Sequence, residues 1–157
     1  MIISYAADGN VSAKTKTAII QLGSNLQIDQ FQIPGPGEYD VASVHCEGKN
    51  LSTGQVFWFR TEELSLSFLT KLDTDLTKND EASNTDILVV DLRSDDSVDA
   101  LKVILKKVEP AYLFLTGSRP AADFIEALGL PRYESSTLKI NNRAALPIEG
   151  TSLVLAD

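Results

Sequence analysis

Two places in the chain set charged and hydroxyl side chains between an apolar run and a helical one. Asp91, Arg93 and Ser94 stand at the end of "DILVVDL", and Ser118 and Arg119 follow "AYLFLTG". Arginines so placed can clamp a carboxylate or phosphate, with Ser118 and backbone N–H groups completing the cradle. The competing reading is helix capping beside solvated arginines, because Ser and Asp are ordinary caps there. A second candidate is Glu38, Tyr39 and Asp40, which follow "IPGPG" and stand within reach of a ligand if that turn is more than a turn. His45 is the only histidine. An imidazole can act as a general base, but no Ser or Cys pairs with it from the sequence, so it reads as a surface or hydrogen-bonded strand residue. Cys46 is the only cysteine, which rules out an internal disulfide or a cysteine-cluster metal site and leaves buried packing as its expected role.

These residues need elements to hold them. Period-2 alternation and β-branched or aromatic enrichment predict strands at 2–6, 17–22, 26–33, 39–47, 54–60 and 64–70, a β-meander first half. In "VFWFR" Phe57 and Phe59 share one face, and Val56, Trp58 and Arg60 the other; one face is core, and the other is a candidate interface. The second half changes character. "DILVVDL" is apolar throughout, as in a strand buried on both faces, and "SVDALKVILKKVEP" has helical spacing with acids at its start and lysines at its end. "AYLFLTG" is a second buried strand, and "SRPAADFIEALGLP" a second helix closed by Gly129 and Pro131. This strand–helix–strand order predicts a parallel pair, 86–92 beside 111–116, joined by a right-handed crossover. Short strands at 137–140 and 151–155 complete the chain.

The 157 residues suit one domain, 1–157. A formal net charge of −8, from 22 acidic and 14 basic side chains, repels a phosphate backbone, so nucleic acid is not an expected partner. No apolar run approaches the ~20 residues of a membrane span, and the opening "MIISYAADGN" lacks a basic n-region. A cytoplasmic location is expected.

"PGPGEYDV" after a strand, then "TDILVVDL" and "DALKVILKKVEPAYLFLTG", together resemble the small metallo-β-lactamase-fold hydrolase-like proteins of bacteria. There a strand leads into a Gly-Pro-Gly-Glu-Tyr-Glu-Val turn, and a late strand–helix–strand unit carries Ile-Glu-Pro. The resemblance covers approximately the whole chain. It implies an α+β fold, a trimmed αββα sandwich with the late helices on an outer sheet face. It also implies a metal held by a His-x-His-x-Asp-His cluster, a mid-chain Asp and a late His. This chain departs at each position. Only "GSN" stands where the His-rich loop would begin, Lys71 falls at the Asp position and Gly117 at the late His position. Asp73 and Asp75 are the nearest carboxylates to the mid-chain position, and two carboxylates without imidazoles make only a weak hard-cation site.

A metal-free, degenerate member is therefore expected, with no cofactor, no metal ligand and no catalytic residue. The function expected is a non-catalytic binding or protein-interaction module, pairing as a homodimer or with a protein partner through an edge strand or the aromatic strand. The alternative is a metal-independent or partner-completed hydrolase acting on a small anionic molecule through Arg93, Arg119 and nearby carboxylates, or a subunit whose partner carries the metal-binding half. Glu38 and Tyr39 stay as ligand-binding candidates beside Asp91, Arg93, Ser118 and Arg119.

Overall fold

A computed structural model describes residues 1–93, 95–118, 122–133 and 135–156. Five short strands open the chain: β1 (Ile2–Tyr5), β2 (Val11–Lys14), β3 (Ile19–Leu22), β4 (Gln27–Ile28) and β5 (Phe31–Gln32). Then come β6 (Gly37–Val41), β7 (Val44–Asn50), β8 (Gln55–Arg60) and β9 (Ser65–Leu69). Two 3-10 segments, Thr74–Lys78 and Asp80–Asn84, lead to β10 (Ile87–Leu92), α1 (Val98–Val108), β11 (Tyr112–Gly117) and α2 (Ala122–Leu128). β12 (Arg132–Tyr133), β13 (Thr137–Lys139) and β14 (Ser152–Val154) finish the chain.

The strands form two sheets. The smaller runs β13-β1-β2-β3-β4-β5, and the larger β12-β14-β11-β10-β9-β8-β7-β6. β10 and β11 are parallel neighbours as expected, in register from Ile87 opposite Tyr112 to Leu92 opposite Gly117. The tail returns to both sheets: β13 pairs with β1, and β14 runs parallel to β11.

Alternation decides what each face buries. Ile3, Val11, Ala13, Ile20 and Leu22 of the smaller sheet meet Phe57, Phe59, Leu66, Phe68, Val89 and Phe114 of the larger one, and this is the inter-sheet core. The opposite face of the larger sheet, with Leu88, Val90, Leu113 and Leu115, is covered by Leu101, Ile104 and Val108 of α1 and Phe124 of α2. Each such aliphatic or aromatic side chain contributes about 1.5–3 kcal/mol on burial. α1 starts at Ser97, whose hydroxyl accepts from the Ala100 N–H at 3.1 Å, and ends at Glu109 in a left-handed conformation. Two strands buried on both faces thus need no polar alternation, which is why they read as continuous apolar runs.

Four expectations change. Both described helices lie on the larger sheet, so the described residues form an αββ stack and the second helical layer of the αββα sandwich has no counterpart among them. The single strand expected at 39–47 is the hairpin β6–β7, reversed at Ala42 and Ser43, both with positive φ (49° and 64°). Neither residue carries a turn signature; the reversal is secured by tertiary contact, Thr17 Oγ1 donating to the Ala42 carbonyl at 2.6 Å. The strand expected at 26–33 is likewise a hairpin, turning at Asp29 (φ 51°), whose carboxylate accepts from the Ile19 N–H at 2.8 Å. Finally, Trp58 is 4% exposed, packed in the cluster that holds Leu72, Leu76 and Ala82, so the aromatic strand offers no indole to a partner.

Candidate functional site

In open parallel sheets, ligands collect beyond the carboxyl ends of the strands. Here that end is a cleft of about 440 Å³ whose lining includes Tyr5, Asp8, Asn10, Ser24, Asp91 and Ser118. β10 delivers Asp91, and β11 delivers Thr116 and Gly117 with Ser118 just beyond it, while the opposite wall comes from the β1–β2 turn and the short "GSN" connection. Asp8 shapes that wall, its carboxylate accepting from the Asn10 N–H at 3.0 Å and side-chain amide at 2.9 Å. Tyr5 ties the two sheets beneath it: its hydroxyl accepts from the Leu115 N–H at 3.0 Å and donates to the Val154 carbonyl at 2.9 Å. Burial pushes that phenol up to about 12, against the lowering effect of the Leu115 bond.

Asp91 is the chemically distinctive group. Its side chain is 16% exposed, and burial raises its carboxyl above the usual range, with Asp96 adding to the rise and Arg93 opposing it. Arg93 reaches Asp91 Oδ2 at 3.3 Å. The structure thus places Asp91 and Ser118 in the lining of one cleft, while Arg93 pairs with Asp91 and is not itself among the lining residues. Arg119 and Ser94 lie outside the described residues.

Glu38 and Tyr39 are elsewhere. Both sit on β6, the edge strand of the larger sheet, with four strands between it and β11. The Tyr39 hydroxyl donates to the Gly35 carbonyl at 2.8 Å, and its ring tilts against Phe31 at 5.7 Å. Gly37 follows with φ 145°, and a Cβ there would meet the Tyr39 hydroxyl at 3.1 Å. "GPGEY" is thus one turn locked by its own tyrosine. His45 lies on β7, where Nδ1 is 2.8 Å from Asp40 Oδ1. Cys46 is fully buried, and burial pushes its thiol up to about 12.

The residues at the resemblance's metal positions do not fit a metal. Gly117 does line the cleft, but its φ is 97° and a Cβ there would run into Asp91 Oδ1 and the Leu92 carbonyl. An imidazole on that backbone has nowhere to go. Lys71 packs its Cβ against Gly54, away from the cleft lining. Asp73 is a structural cap: its two oxygens accept from the Thr53 N–H (2.8 Å) and hydroxyl (3.1 Å), the Gly54 N–H (3.3 Å) and the Asp75 N–H (3.0 Å). Asp75 pairs with Lys78 at 2.9 Å.

Sequence reasoning missed a larger groove of about 960 Å³ at the amino ends of β10 and β11, bordered by Thr85, Asp86, Lys106, Glu109, Arg143 and Glu149. Its best-placed cation is already matched, Arg143 lying 3.0 Å from Asp86. Larger volume does not outweigh position here; the strand ends and a half-buried, perturbed carboxyl favour the smaller cleft.

Among solved structures, the chain is similar to a Thermotoga maritima protein provisionally assigned as a zinc-dependent hydrolase of the metallo-β-lactamase superfamily, with a TM-score of 0.74, 15% identity and 98% of each chain covered. The fold is that of the metallo-β-lactamases. No protein-family model matches the chain, and no curated protein matches its sequence.

Proposed function

We propose that the chain is a non-catalytic binding module, built on a metallo-β-lactamase-like scaffold whose metal cleft has become a polar ligand pocket. One observation carries this reading: at the late histidine position the backbone is left-handed and the space for a side chain is filled by Asp91 and Leu92. The described lining offers carboxylates, an amide and hydroxyls, so a ligand rich in donors, an amine or polyol, is matched to it. A small anion would have to draw Arg93 off Asp91. The second reading, a metal-independent hydrolase, is favoured by the raised carboxyl of Asp91 acting beside Ser118.

Two measurements test the proposal. Gly117→His is expected to lower stability by about 2–4 kcal/mol, from steric and φ strain, and to bring no zinc into the cleft. A small-molecule thermal-shift screen is expected to give saturable ligands whose affinity falls at least tenfold in Asp91→Asn. Turnover of such a ligand, abolished by Asp91→Asn, would establish the hydrolase reading instead. A well-folded Gly117→His that takes up stoichiometric zinc there would refute the collapsed metal position.

A further inference from the structure

The outer face of the β6–β7 hairpin gathers residues that the cleft does not use. Glu38 stands directly opposite Glu47, and Asp40 opposite His45. One ligand atom each from Glu38, His45 and Glu47 lie within 4.8 Å of one another. We propose that these three side chains form a site for a single divalent cation of borderline softness, of the zinc class.

The donor set suits that class. One neutral imidazole and two carboxylates, with water in the remaining position, are ordinary zinc ligands, whereas magnesium and calcium prefer oxygen alone. The imidazole is already oriented. A carboxylate can only accept, so Asp40 Oδ1 at 2.8 Å fixes the proton on Nδ1 and leaves the Nε2 lone pair for a metal. That is the carboxylate–histidine–metal arrangement in which a second-layer acid sets ring orientation and basicity.

Electrostatics argue the same way. Like charges directly opposite on paired strands repel, and Glu38 and Glu47 are such a pair. Lys49 at 3.3 Å from Glu47 offsets this in part. However, it is 45% exposed, so the bond is weak, and its ammonium already sits 5.6 Å above the Trp58 ring, where it can remain when an ion takes Glu47. Ligands about 2.1 Å from a tetrahedral ion are about 3.4 Å apart, so the three side chains need close by at most about 1.4 Å. Glu38 is exposed and can turn inward to do so. The site is separate from the cleft: β7 and β11 are four strand positions apart, roughly 19 Å at about 4.8 Å per strand.

The test is a titration of the full-length, untagged chain with Co2+ alone, read by d–d absorption, and with Zn2+ alone, read by calorimetry. One equivalent is expected to bind in the micromolar range. His45→Gln should weaken binding at least 30-fold and Glu47→Gln about tenfold, while Asp40→Asn, which keeps the strand but loses the fixed tautomer, should cost 10- to 100-fold. Circular dichroism on each variant separates lost ligation from lost fold. No saturable binding up to about 1 mM would overturn the site and leave the proposed function standing. Binding that survives His45→Gln but is lost in Asp91→Asn would overturn both.

Discussion

Among single residues, Asp73 shows how a carboxylate at a suggestive position can be wholly structural. Burial works to raise its carboxyl, but hydrogen bonds from Thr53, Asp75 and Gly54 outweigh that and hold it below the usual range. A depressed folded value means stability that is present above the unfolded carboxylate range, near 3.9, and lost as pH falls through the folded one. Asp73→Ala is therefore expected to cost about 2–4 kcal/mol near neutral pH, because it strands three backbone donors. The difference from wild type should shrink as the solution is acidified, a trend that urea melts at successive pH values will display or refute. The sequence offered Asp73 only as a distant metal-ligand candidate; the caps it makes come from Thr53 and Gly54, about twenty positions away in the chain and adjacent only once β8 and β9 have paired.

Secondary elements were legible where apolar residues run continuously or keep a helical stripe. β10, α1 and β11 follow from their patterns, since a continuous apolar run and a 3.6-residue stripe each admit one arrangement against a flat sheet. The hairpins were not legible. Ala42 and Ser43 hold left-handed φ without glycine or asparagine, so nothing local announces the reversal that pairs Val41 with Val44. Holding two such residues there costs on the order of 1 kcal/mol each. Replacing them by Asn-Gly is expected to raise unfolding stability by about 1–2 kcal/mol, measured by chemical denaturation, with the Thr17 contact to residue 42 retained because it uses the backbone carbonyl. A loss of stability would mean that the turn owes its shape to the Ala42 and Ser43 side chains.

Across the whole molecule, one buried hydroxyl links the sheets. Tyr5 belongs to the smaller sheet and bonds to β11 and β14 of the larger. It and Cys46 both hold their protons more tightly folded than unfolded, at about 12 against ordinary values of 10.0 and 9.0. Their contribution is thus complete below about pH 9 and lost as pH climbs through 12. Unfolding free energy should fall over that window by roughly 2–3 kcal/mol for the tyrosine alone. The fall should be reduced in Tyr5→Phe, itself about 1–3 kcal/mol less stable at neutral pH. An unchanged alkaline profile in that variant would remove Tyr5 from the account. By itself the sequence determined the β-meander followed by a strand–helix–strand unit, the missing imidazoles and the apolar strands, because pattern and composition are local properties of the chain. Only the tertiary structure decided that Asp91 and Ser118 share a cleft with Asp8 and Ser24, that Gly117 leaves no room for a side chain, and that the lone histidine stands among three carboxylates. Those are proximities between residues apart in the chain, and strand pairing together with the packing of one sheet on the other creates them.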